Sequence, residues 1–321
     1  MAAPPPLPSM ISQEEFQAIL SRYPMVLRAV SEKKQKPNDR TLEEIDDWRN
    51  GLSDSTKQTE SADDGGRRLD ASQVKDIVLW KLKRGKFRPT ILPLVSSNPV
   101  GELESTVNKA LKMSLPSQVT SDGSEDDDDD ALAQVSLVLN VLVKLRGIGP
   151  ATATAILSSV FPETIPMFSD EAFRWIMMDQ SGTSGGWNRK IAYNAKEYSE
   201  FYKGIRRLCR RLASEGEVVD AGSAEKVGWV LGQEAALGIT HPAKGTLTKP
   251  SRRAGAKEGS EGSVRKKGRK QDDALSPNSE PSKFVTSGLE TIGSLSKTSA
   301  KRKATSAGIS PSLRRSKRNK E

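Results

Sequence analysis

Two apolar runs separated by a five-residue break constrain this chain more than any other feature. Leu137 to Leu145 and Ala151 to Val160 flank Arg146-Gly147-Ile148-Gly149-Pro150. Both runs are long enough for helices. The break carries two glycines, which permit positive φ and close approach of a ligand to the backbone. Pro150 suits the first turn of the second helix. The free N–H groups of that helix start can bind an anion. Ile148 would anchor the break in the apolar layer beneath. The local physics allows a phosphate-binding turn on two packed helices, or a plain tight connection between them.

The rest of residues 11–237 also reads as helix. Ile11–Lys36 carries Phe16, Ile19, Leu20, Tyr23, Val26, Leu27 and Val30 at helical spacing. It predicts one helix, or two joined at Pro24. Thr41-Leu-Glu-Glu resembles a capping box and opens a short helix with Ile45 and Trp48 inside. Residues 51–70 are polar and predict a surface loop. Ala71–Gly85 predicts a helix ended by glycine with Pro89 beyond. Thr90–Ser96 and Glu102–Met113 predict two more, divided by Ser97-Asn98-Pro99. Residues 117–130, with Glu125 and five consecutive aspartates, predict a solvated, mobile acidic run. EF-hand spacing is missing there, so a calcium loop is not expected. Gly182–Gly186 predicts a loop, Trp187–Ala213 a long helix and Ala224–Leu237 a last one. No alternation is long enough to predict a sheet, so the body is expected to be an all-α helical bundle.

Charge and rare residues narrow the chemistry. Residues 241–321 hold 20 Lys and Arg against 7 Asp and Glu, a charge of +13. The chain total is +9, which leaves −4 for residues 1–240. The tail predicts a disordered segment of low apolar content. Its basic clusters, 265–270, 301–303 and 314–318, suit nuclear import or nucleic acid; a merely solvated tail is the other reading. Cys209 is the one cysteine and His241 the one histidine. No disulfide framework, Cys/His zinc site or cysteine-ligated iron–sulfur cluster can be built within such a chain. No metal and no cofactor is expected. Acid–base chemistry would fall to Asp, Glu, Lys or Tyr. No run approaches the about 20 apolar residues of a membrane span, so no membrane partner is expected and the chain reads as soluble and intracellular.

Two basic patches have two readings each. Lys81 to Pro89 contains Lys83, Arg84, Lys86 and Arg88 at a predicted helix end and exit. These are dipole-compatible cations or phosphate contacts. Arg206, Arg207, Arg210 and Arg211 lie near the end of another helix and read the same two ways. Ser169-Asp170-Glu171 opens a helical pattern, where acidic residues cap free N–H groups and suit the dipole.

Leu145-Arg-Gly-Ile-Gly-Pro-Ala-Thr-Ala153 resembles the helix-hairpin-helix motif, a sequence-independent binder of the DNA backbone. The resemblance implies that Gly147, Ile148, Gly149, Ala151 and Thr152 contact duplex DNA. The motif occurs in glycosylases, polymerases, ligases and nuclease subunits, so it does not by itself assign an activity. In the helix-hairpin-helix DNA glycosylase-like superfamily a catalytic aspartate follows at the start of a later helix. Asp170 lies 21 residues beyond Gly149, close to that spacing. The resemblance covers Ala131–Trp175 well and residues 71–237 loosely. Trp80–Asn98 also resembles a eukaryotic branch that carries this hairpin and to which no activity is attached. Bifunctional glycosylases carry a lysine two residues after the second hairpin glycine; Ala151 stands there, which leaves a monofunctional enzyme. The expectation is therefore a nuclear DNA-binding protein linked to DNA repair, with residues 1–240 as its domain and 241–321 as its tail. The tail would engage the nuclear import machinery and add salt-sensitive affinity. The alternatives are a monofunctional DNA glycosylase using Asp170, and a non-enzymatic scaffold that engages proteins.

Overall fold

The computed structural model describes residues 4–35, 37, 39–58, 68–179 and 185–239. The tail and its basic clusters lie outside them, as does His241. Among the described residues the chain is all helix, with no strand. The described residues form one compact unit.

In chain order the helices are α1 Gln13–Leu20, α2 Tyr23–Lys34, α3 Leu42–Gln58, α4 Ala71–Arg84 and α5 Ile91–Ser96. Then follow α6 Val100–Leu111, α7 Glu125–Leu142, α8 Pro150–Val160, α9 Asp170–Ile176, α10 Ala195–Glu215 and α11 Ala221–Leu237. None of them is long and apolar enough to cross a membrane. The bundle is built around α8. Every residue from Ala151 to Val160 is buried, so α8 has no solvent face. Helices α3, α4 and α7 surround it. A helix this apolar is stable only inside other helices.

The second packed seam runs between α9 and α11. Gly228 of α11 makes it possible: a Cβ there would sit 2.7 Å from the Ala172 Cα. Polar bonds join the two seams. Arg84 of α4 forms a buried two-pronged ion pair with Glu225 of α11, at 2.7 and 2.9 Å. Its guanidinium lies 4.4 Å from the Trp229 ring. Asp46 of α3 accepts from Tyr23 Oη at 3.0 Å and Trp80 Nε1 at 2.7 Å. Arg49 of α3 donates to Ser159 Oγ and to the Ser158 carbonyl of α8.

The structure corrects three local expectations. Helix α3 continues through Gly51 to Gln58, although residues 51–70 read as loop. Leu52 is buried on the same face as Ile45, and that burial carries the helix past the glycine. The acidic run is helical. Ser124 caps it in a reciprocal box with Asp127, and acidic side chains in a first turn suit the dipole. Asp128 is buried and accepts from Arg206 Nε at 2.5 Å and Arg210 at 2.6 Å. Those two arginines therefore hold α10 to α7. Arg211 donates to the Pro8 and Ile11 carbonyls, leaving Arg207 as the exposed member of the group. The long helix expected from Trp187 begins only at Ala195. Asn194 caps it, and Tyr193 just before has φ +56°.

Candidate functional site

The turn between α7 and α8 is held from α5. Gly147 has φ +78°, a conformation that favours glycine. A Cβ there would meet Leu94 Cβ at 2.8 Å and Val95 N at 2.9 Å. Asn98 grips the turn with both ends of its amide. Its Oδ1 accepts from Arg146 N at 2.9 Å, and its Nδ2 donates to the Arg146 and Val95 carbonyls at 3.0 and 2.9 Å. Ile148 is 3% exposed and sits in the core beneath the turn.

Gly149 is the cap residue of α8, in extended conformation. Its carbonyl accepts from Thr152 N and Ala153 N, both at 2.9 Å. Pro150 has no N–H. The N–H groups of Gly149 and Ala151 have no backbone acceptor among the described residues. They are the ordinary unsatisfied donors of a helix start. A Cβ at Gly149 would have nothing within 4 Å, so the approach to these donors is open.

This turn forms one wall of a cleft of about 260 Å³. The end of α4 and its exit, the segment 167–171 and Tyr193 form the others. Asp170 opens onto it. The structure separates Asp170 from a capping role. Ser169 is the cap residue of α9, yet its side chain makes no cap bond, and its buried Oγ has no partner among the described residues. The Asp170 carboxylate instead accepts from Tyr193 Oη, at 2.9 and 2.8 Å to its two oxygens. Arg174 lies 3.7 Å away, and the Asp170 side chain remains 21% exposed.

Tyr193 is positioned by several groups at once. Glu197 accepts the N–H groups of Ala192 and Tyr193 at 2.8 and 2.7 Å, holding the left-handed backbone. The Arg88 guanidinium lies 4.6 Å from the ring. Burial and then the Asp170 charge push the phenol up to about 12, so it donates rather than ionises. Nothing in the sequence pairs Tyr193 with Asp170, because it lies in an irregular segment 23 residues on. The neighbouring Glu171 also lines the cleft and accepts from Gln233 at 2.8 Å. Burial first, and Asp170 second, raise its carboxyl to about 7.

Most of the candidate residues meet at this cleft. Gly147, Gly149, Ala151, Thr152, Lys86, Arg88 and Asp170 all line it. Thr152 does so with 3% exposure, so it offers little surface. Two of the four expected phosphate contacts are engaged elsewhere. Lys83 donates to Asp39 and to the Arg40 carbonyl. Arg84 touches the cleft wall, but its charge is spent on Glu225. The dipole role at the end of α4 falls to Lys34 of α2, which donates to the carbonyls of Lys83 and Gly85 at 2.9 and 2.7 Å. Lys81, one turn before Gly85, also lines the cleft.

No family model, no curated protein and no solved structure matches this chain.

Proposed function

We propose that the chain binds duplex DNA by its phosphate backbone through a helix-hairpin-helix formed by α7, the turn at Gly147–Gly149 and α8. One observation carries this reading. The open donors of Gly149 and Ala151 share a cleft with the cations of Lys86 and Arg88. Backbone donors at a helix start, joined by positive side chains, bind phosphate without reading sequence. The protein acts in the nucleus, and the basic tail adds a salt-sensitive contribution. Duplex affinity measured against salt tests it: the reading requires log K to fall linearly with log salt and two duplexes of unrelated sequence to bind alike.

Base excision is the second reading, favoured by the orientation of Asp170. Its carboxylate faces the cleft and is held there by Tyr193 instead of capping its helix. An extruded nucleotide would place its sugar against this carboxylate. The negative charge would stabilise the positive charge that develops on the sugar as the base leaves. A panel of damaged and mismatched duplexes, tested with the wild type and Asp170→Asn, checks this. Release from at least one substrate is expected, with a loss of about 10²-fold or more in the variant. No release from any of them would leave binding alone.

A further inference from the structure

A second cavity lies at the end of α8 away from the hairpin. It encloses about 220 Å³ between the last turn of α8, the middle of α3 and the start of α11. Three acids lie in or beside it, and each is engaged. Glu225 gives both oxygens to Arg84, and Asp220 gives both to Ser223. Asp46 accepts from Tyr23, Trp80 and Asn50. The cations are not matched in the same way. Arg49 is buried on the cavity wall, stacked 4.0 Å from the Trp80 ring, yet among the described residues it donates to neutral atoms alone. These are Ser159 Oγ at 2.9 Å, the Ser158 carbonyl and Oγ at 3.0 and 3.1 Å, and Asn50 Oδ1 at 3.5 Å. The negative end of α8 offsets part of its charge. Lys226 has less: its Nζ lies 5.1 Å from the Tyr23 ring and has no hydrogen bond or ion pair among the described residues. Arg84 lines the cavity as well, and its Nε is buried without an acceptor among the described residues. The unspent donors here therefore belong to cations, while every carboxylate is already taken.

We propose that this cavity binds a small free phosphate dianion, inorganic phosphate or a phosphate monoester, with Lys226 and Arg49 as its charged partners. Buried charges are held by counter-charges, and these two have none among the side chains around them. They come from different helices, α11 and α3, so one dianion between them neutralises both, whereas a carboxylate would neutralise one. Burial lowers the proton affinity of Lys226; Asp46 opposes this, and the Arg49 and Arg84 charges add to it. A bound anion acts in the opposite sense and keeps the ammonium charged. The cavity is smaller than the about 300 Å³ at which pockets for drug-sized ligands begin, which suits a phosphate with a short organic group and not a nucleic-acid strand. The inference goes beyond DNA binding and does not depend on it, since the hairpin donors lie at the opposite end of α8.

The test is calorimetric titration of the full chain with inorganic phosphate and, separately, with phenyl phosphate, at an ionic strength fixed by chloride. Saturable binding of at least one is expected, and the tighter of the two shows whether the site takes the free ion or a monoester. Lys226→Gln should weaken it by about tenfold or more, and Lys226→Arg, which keeps the charge, should restore most of it. Gly149→Glu, which blocks the hairpin donors, should leave it unchanged. Hydrogen exchange of the wild type should show added protection in the peptides that contain Arg49 and Lys226, a readout that stands even if a variant fails to fold. No saturable binding of either probe, or binding that Lys226→Gln leaves unaltered, overturns the proposal. Binding that Gly149→Glu removes instead would place the phosphate at the hairpin, which overturns this site while favouring the DNA reading.

Discussion

At the level of single residues, the cleft is set by two adjacent carboxyls with different surroundings. Asp170 keeps a donor on both oxygens and part of its surface in solvent, whereas Glu171 is enclosed beside it. Glu171 holds its proton more tightly in the folded protein, up to about 7, than its ordinary 4.5. The folded state therefore binds more protons than the unfolded state between those values. Stability falls as pH rises through that window and is level above it. Glu171→Gln removes this titration. Its unfolding temperature should gain on the wild type between pH 5 and pH 8, measured by thermal melts; parallel curves would show that Glu171 is not the titrating group. Asp170 itself was legible, because its type and its distance from Gly149 are sequence facts. Tyr193 was not, since its contact depends on a left-handed backbone that no local pattern announces. The run from Lys81 to Arg88 looked uniform as a string of charges. Helical rotation sends Lys83 towards Asp39 and turns Lys81 to the cleft, and a buried acid far along the chain takes Arg84.

At the level of elements, the turn between α7 and α8 is only as firm as its hold on α5. Asn98 provides that hold with bonds to both Arg146 and Val95. Asn98→Ala loses these three bonds and should cost about 2–3 kcal/mol. Gly147→Ala should cost about 1–3 kcal/mol, from positive φ and from contact with Leu94. Urea midpoints of both variants measure this, and a change below about 0.5 kcal/mol in either would mean the turn is held otherwise. Apolar spacing displayed most of the helices because burial of one face leaves a period in the sequence. The acidic run escaped that rule. Five aspartates in line repel one another unless a partner is supplied, and the partners Arg206 and Arg210 lie about 80 residues away on α10. In the sequence Asn98 is only a divider between helices, because its role is defined by a turn that follows 48 residues later.

For the molecule as a whole, charge placement matters more than the net value. The body is acidic in sum, yet its cleft gathers Lys86 and Arg88 beside open backbone donors. Duplex affinity should therefore depend on salt even in a chain ended at residue 251. Lys86→Ala and Arg88→Ala should each reduce the slope of log K against log salt by about 1, while Lys83→Ala leaves it unchanged. Equal effects at all three positions would point to a diffuse attraction instead of a built site. Helical content is legible because periodicity is additive along a chain. The cleft was not, because it is assembled from five separate stretches that meet only in the folded bundle. The most direct measurement is duplex affinity of Gly149→Glu. Gly149 has ordinary φ and open space at its Cβ, so the substitution spares the fold and puts a carboxylate where a phosphate would sit. The expected result is a loss of about tenfold or more in affinity, with the unfolding midpoint unchanged. Unaltered affinity in a folded variant would contradict DNA binding at this turn.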